Sequence, residues 1–235
     1  MLNSAVSSIT FLLVSTLWSV DCLAADVAVD VGHSIRHPGA VSISGVNELD
    51  LNIALAENIA KNLKAKNMSV HLIGNDGKMD VLTDRTYAAK DDALFLSIHH
   101  DSFPKSWMPR VHEFSGFSVF VSRKNKNLET SLACASKIGA SLINAGFKPS
   151  RYHALPIEGQ NRPFADEANG VHYFDDLIVL KTAKQPAVLV EAGVIVNDED
   201  ESRVTSTAGR QRVANAIALG VASCQLAIST NMEKQ

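Results

Sequence analysis

The chain has 235 residues, which suits one globular domain with room for a small insertion. Apolar residues make up 46% of it, enough for a sizeable core, so the composition excludes a disordered chain. A formal charge of -3 leaves no basic footprint and speaks against nucleic acid as the main partner.

In chain order, Ile9–Val20 is an apolar run, shorter than the roughly 20 residues that span a bilayer. Cys22 and Ala24 then place small side chains where a signal peptidase reads. Residues 1–24 therefore read as a secretory signal peptide, rather than an uncleaved anchor or a buried helix. Once it is removed, no stable membrane insertion is expected. Val27–Val31 (VAVDV) is a β-branched run stopped by Gly32 and predicts a strand. Glu48–Lys66 predicts a helix, with Leu51, Leu55, Ile59 and Leu63 on one face. Ser69–Ile73 predicts a second strand, ended by the turn-rich stretch Gly74–Gly77. Thr83–Lys90 reads as a short helix. Ala93–Ile98 is nearly continuously apolar, as a strand covered on both faces is. Gly116–Ser122 predicts a strand, and Leu128–Ala145 a helix capped by Gly146. Ala187–Val190 predicts a strand and Thr207–Ala227 the last helix. Alternating strands and helices predict an α/β fold with helices on both faces of the sheet. Residues 150–176 break the alternation and read as an irregular insertion, a candidate lid. Cys134 and Cys224 remain after the signal peptide, and the sequence leaves open a disulfide or two buried thiols.

Three polar residues stand just past apolar strands: His33, His99 and Glu191. Sites in open α/β sheets gather outside the carboxyl ends of the strands, so parallel neighbours bring these side chains together. Glu48 opens its helix in line with Leu51, Leu55 and Ile59, which points it inward. A buried carboxylate needs a partner, and a metal is one. Two histidines and one carboxylate make a three-ligand zinc set with a fourth position left for water. Glu191 is then placed to shuttle the proton. Singly, each residue has a plainer reading: a hydrogen-bonded histidine, a charge at a helix start, a turn residue. Their joint occurrence at matching positions carries the metal reading.

Four segments add a resemblance: DVGHSIRHPGA at 30–40, SGVNELDLNIALAENI at 44–59, LFLSIHHDSF at 94–103 and VLKTAKQPAVLVEAGVIVNDEDE at 179–201. With GFSVFV at 116–121 they run through nearly the whole mature chain, which resembles the zinc-dependent N-acetylmuramoyl-L-alanine amidases of the amidase-3 family. The resemblance implies a single domain with a twisted, mostly parallel sheet. It implies one zinc ion, with His33, Glu48 and His99 as ligands and Glu191 as the catalytic carboxylate. It also implies hydrolysis of the amide between N-acetylmuramic acid and L-alanine, with peptidoglycan as partner and export to the periplasm, full secretion being the alternative location. Residues 25–230 are expected to form the catalytic domain. The sequence identifies no protein activator. A zinc carboxypeptidase or other amidohydrolase on wall peptides is the alternative enzyme, and a non-catalytic wall binder the alternative from another class. The chain departs from the family pattern at Val31, Ser34, His100-Asp101 and Val194.

Other polar residues carry readings of their own. Arg85 matches a recurrent arginine of the family it resembles and is expected to form a structural ion pair with Asp91 or Asp92 rather than to contact substrate. His100 alternates with His99 and reads as structural. His37 is a candidate neighbour of the metal. His153 and His172 lie in the 150–176 stretch, either against substrate or exposed, and Asn161 and Arg162 there are candidate contacts to the glycan or the acidic stem peptide.

Overall fold

A computed structural model describes residues 26–157 and 159–232, with side chains as far as Cys224. The expected signal peptide at 1–24 lies outside the described residues. The elements in chain order are β1 (Val27–Val31), α1 (Glu48–Lys64), β2 (Val70–Ile73), α2 (Leu82–Ala88) and β3 (Phe95–Asp101). A 3-10 segment (Lys105–Glu113) leads to β4 (Ser118–Val121) and α3 (Leu128–Asn144), and a 3-10 turn (Tyr152–Ala154) leads to β5 (Phe164–Asp166) and β6 (Val171–Tyr173). The chain then forms α4 (Ile178–Thr182), β7 (Ala187–Val194), α5 (Asp198–Thr205) and α6 (Thr207–Met232).

The strands make one seven-stranded sheet in the order β2-β1-β3-β7-β4-β6-β5. The run from β2 to β7 is parallel. β4 is antiparallel to β7, β6 is parallel to β4, and β5 is antiparallel to β6. Two-residue alternation sends Val27, Val29 and Val31 into one core and Ala28 into the other. The first core packs against Leu55 and Ile59 of α1, Ile138 of α3 and Ile217 of α6. The second is thinner and packs against Ala89, Val179 and Leu180, contributed by the α2 and α4 regions. Helices thus lie on both faces, and the sparsely covered face is the one that opens into the site.

α1 stops at Lys64 rather than Lys66, because Asn67 takes a left-handed backbone (φ 61°) that turns the chain. β3 and β7 run past their apolar stretches to Asp101 and Val194, since polar side chains at the rim do not interrupt the ladder. The 150–176 stretch is not irregular throughout: it contains the 3-10 turn and both β5 and β6. Strands of three residues are too short to show an alternation in sequence. Cys134 and Cys224 form a disulfide between α3 and α6, with Cα atoms 4.9 Å apart. Among the described residues, no helix is long and apolar enough to cross a membrane.

Candidate active site

The site forms where β1, β3 and β7 end together. The Gly32 N–H still pairs with the Ile98 carbonyl at 3.0 Å, and the chain then turns at once. His33 adopts φ 73°, a left-handed conformation rare outside glycine and strained for a residue with a Cβ. His99 follows one residue past the register pair Val31–Ile98, and its ring lies against Gly32. Glu48 opens α1 and is 4% exposed. Gly39, at φ 80°, leaves the space that the Glu48 carboxylate fills.

These positions bring three donor groups to one point. Glu48 Oε1 lies 3.0 Å from His33 Nε2 and 3.1 Å from His99 Nδ1. Ligand atoms of all three lie within 4.8 Å of one another, so the group can hold a metal ion. Burial alone would raise the Glu48 carboxyl, but its contacts with His33 and His99 outweigh that and hold it far below the usual carboxylate range. Burial likewise opposes charge on His33, and the Glu48 carboxylate prevails and raises it. Two imidazole nitrogens and one anionic oxygen match what zinc takes up, with a net charge that leaves the ion electrophilic. The site therefore fits the metal that the sequence calls for.

Glu191 sits beside His99 in the β3–β7 register, so both side chains leave the same face of the sheet. Its Oε2 atom is enclosed and has no hydrogen-bond partner among the described residues. Burial, then the charges of Asp101 and Glu48, push its carboxyl well above the usual range, against the pull of Arg162. Asp101, two residues past His99, shares that face. It accepts from Tyr152 Oη, and His153 Nε2 lies 2.7 Å from its Oδ2. A cavity of about 410 Å³ adjoins the three-donor cluster, walled by His33, His99, Leu82, Leu177, Val179 and Leu189.

Several expectations need correction. Arg85 is structural but pairs with neither Asp91 nor Asp92. It is buried, forms an ion pair with Asp30 at 2.8 Å, and donates to the carbonyls of Val31, His33 and Met79. The end of β1 concentrates acceptors that need a donor, and α2 points Arg85 into them. Asp91 and Asp92 face Lys90 and His71 instead. His153 and His172 are buried, not exposed. His37 neighbours the cluster through its backbone: its carbonyl lies 3.2 Å from His33 Nδ1, while its exposed ring lies 3.9 Å from Asp80. His100 is structural as expected: it is buried, with Nδ1 2.8 Å from Asn52 Oδ1, and burial holds its pKa down at about 4. Asp101 and Tyr152 were not among the expected site residues. Period-two counting from His99 finds Asp101, but no local signal marks Tyr152, which arrives from a distant turn.

Fold and site together define an α/β protein with a His-Glu-His cluster that can hold a metal and a further carboxylate at the carboxyl ends of its central strands. A family model described as N-acetylmuramoyl-L-alanine amidase, Amidase_3, matches residues 27–223. The chain therefore belongs to this family and is a peptidoglycan amidase. It is 28% identical to the N-acetylmuramoyl-L-alanine amidase AmiA of Salmonella typhimurium over 216 residues, 84% of this chain and 75% of that protein. The catalytic domain of CwlV, an amidase from Bacillus (Paenibacillus) polymyxa var. colistinus, superposes with a TM-score of 0.66 at 26% identity, covering 84% of this chain and 96% of that one. Ami1 from Mycobacterium smegmatis shares the fold, with a TM-score of 0.71 at 22% identity, covering 87% of this chain and 99% of that one.

Proposed function

We propose that this amidase works with one zinc ion held by His33, Glu48 and His99, and with Glu191 as its proton carrier. The observation that carries the reading is the convergence of three ligand atoms within 4.8 Å beside an open cavity. When bound, zinc activates water near neutral pH and polarises the substrate carbonyl. Glu191 takes the proton released as water adds to the lactyl carbonyl and delivers it to the leaving nitrogen of L-alanine. Its enclosed, unpartnered oxygen suits that task, because neither protonation state is locked by a fixed bond. Burial and the neighbouring carboxylates raise its affinity for the proton it takes from water. Arg85 supports the arrangement from below by donating to the His33 carbonyl.

Residues 25–230 act as one catalytic domain, delivered by the signal peptide at 1–24 to the periplasm. The buried Cys134–Cys224 bond supports an oxidising compartment. Purified protein is expected to release intact stem peptides and free glycan from sacculi, to lose that activity to a chelator, and to regain it with one zinc per chain. Release of terminal D-alanine instead would establish the carboxypeptidase reading. Full activity with no bound metal would remove the zinc assignment.

A further inference from the structure

One cation on the sparsely covered face is unlike the others. Arg162 follows Asn161, held at φ 66°, in the loop between the Tyr152–Ala154 turn and β5. Its backbone N–H is fixed to the His153 carbonyl at 2.7 Å. Its guanidinium lies 4.0 Å above the Phe174 ring and 6.0 Å from that of Phe120. Nη1 donates to Gln160 Oε1 at 2.6 Å and lies 3.1 Å from His153 Nδ1. His153 in turn reaches Asp101 on the strand that carries His99. The guanidinium is thus tied through two side chains to the metal-bearing strand. Arg123 and Arg151, on the same half of the molecule, each close on a carboxylate. Arg162 is seated on an amide oxygen, an imidazole and aromatic faces.

Its position relates this seat to the reaction. Phe120 is the register partner of Leu189, which walls the cavity beside His33 and His99. Arg162 is half-buried against Phe120, and its charge is felt at Glu191, the register neighbour of His99. Arg85 lines the cavity too, but it is fully buried and both of its Nη atoms are taken up by Asp30 and three carbonyls.

We propose that Arg162 is a specificity-determining residue that binds a carboxylate of the stem peptide, on the leaving-amine side of the scissile bond. The inference rests on the amidase reading above. The chemistry of the substrate decides which half is recognised. The glycan half offers hydroxyls and acetamido groups, and its lactyl carboxyl is consumed in the amide itself. Every anionic group therefore lies on the peptide half. A guanidinium held flat on an aromatic ring presents the planar fork that pairs with a carboxylate by two parallel hydrogen bonds.

The test uses two synthetic muropeptides that differ only in the α-carboxyl of the second stem residue, carboxylate in one and carboxamide in the other. Both are assayed with wild type, Arg162→Gln and Arg162→Lys. A charge-assisted contact corresponds to about a 10- to 100-fold effect. Wild type is expected to lose at least about 10-fold in kcat/KM on amidation, mostly through KM. Arg162→Gln is expected to treat the two substrates alike, and Arg162→Lys to fall between. The proposal is overturned if wild type cleaves both equally, or if Arg162→Gln keeps the preference. An equal fall in kcat on both substrates in Arg162→Gln also overturns it, leaving only a charge-balancing effect on Glu191. Should Arg162→Gln fail to fold, Arg162→Lys carries the test: a preference as large as that of wild type overturns the proposal. Cleavage of neither substrate by wild type defeats the amidase reading itself, a result distinct from equal cleavage of both.

Discussion

The His99 ring packs directly over the backbone of Gly32, so a Cβ at that position would stand 2.2 Å from Nε2. His99 cannot accept that contact without leaving Glu48, 3.1 Å away. Gly32→Ala is therefore expected to weaken zinc binding by about 10- to 100-fold, the scale seen when a ligand's support is disturbed, with the fold intact. Metal competition against a chromogenic chelator measures this, and wild-type affinity in the variant would refute the role given to Gly32. Glu191 makes a second prediction. Its ionised form is enclosed beside two other carboxylates with no fixed partner, which disfavours the folded state. Glu191→Gln is expected to cut turnover by about 10²- to 10⁴-fold while leaving the melting temperature unchanged or higher. Turnover near wild type, or a clear loss of stability, contradicts the proposed role. His33, Glu48, His99 and Glu191 were legible as candidates because each sits at a strand end or on an apolar helical stripe. Arg85 was legible as structural, but its partner was not, since Asp30 hides inside the apolar run VAVDV.

At the scale of elements, α3 and α6 are joined across the first core by the Cys134–Cys224 bond, 90 residues apart in sequence. Closing a loop of that length restricts the unfolded chain by roughly 4–5 kcal/mol in the chain-entropy model. The double variant Cys134→Ala/Cys224→Ala is expected to lose stability of that order in urea titrations. Its kcat/KM should be unchanged, because the bond lies on the face away from the cavity. Equal midpoints for oxidised wild type and the double variant would show that the bridge adds nothing. The long helices α1, α3 and α6 and the strands β1 and β3 could be read from periodicity because they extend over enough residues. β5, β6 and α4 could not, as each spans too few residues to establish a repeat. The pairing of the two cysteines was equally hidden, for it depends on how two distant helices dock.

Across the whole molecule, the α/β class and its two-faced helical cover follow from alternating elements, whereas the reversal at β4 does not. Ser118–Val121 is buried on every side chain, so it carries the same continuous apolar run as a parallel strand. The order of strands carries a further meaning for an enzyme able to dissolve a cell's own wall. β7 is the last strand in the chain, yet it lies in the middle of the sheet, between β3 and β4. Before residues 187–194 arrive, the two halves of the sheet share no ladder, and Glu191, the proton carrier proposed above, is missing. Polypeptides are made amino end first. A growing chain thus stays harmless for most of its synthesis and becomes a cutting tool only when its final strand slides into the gap.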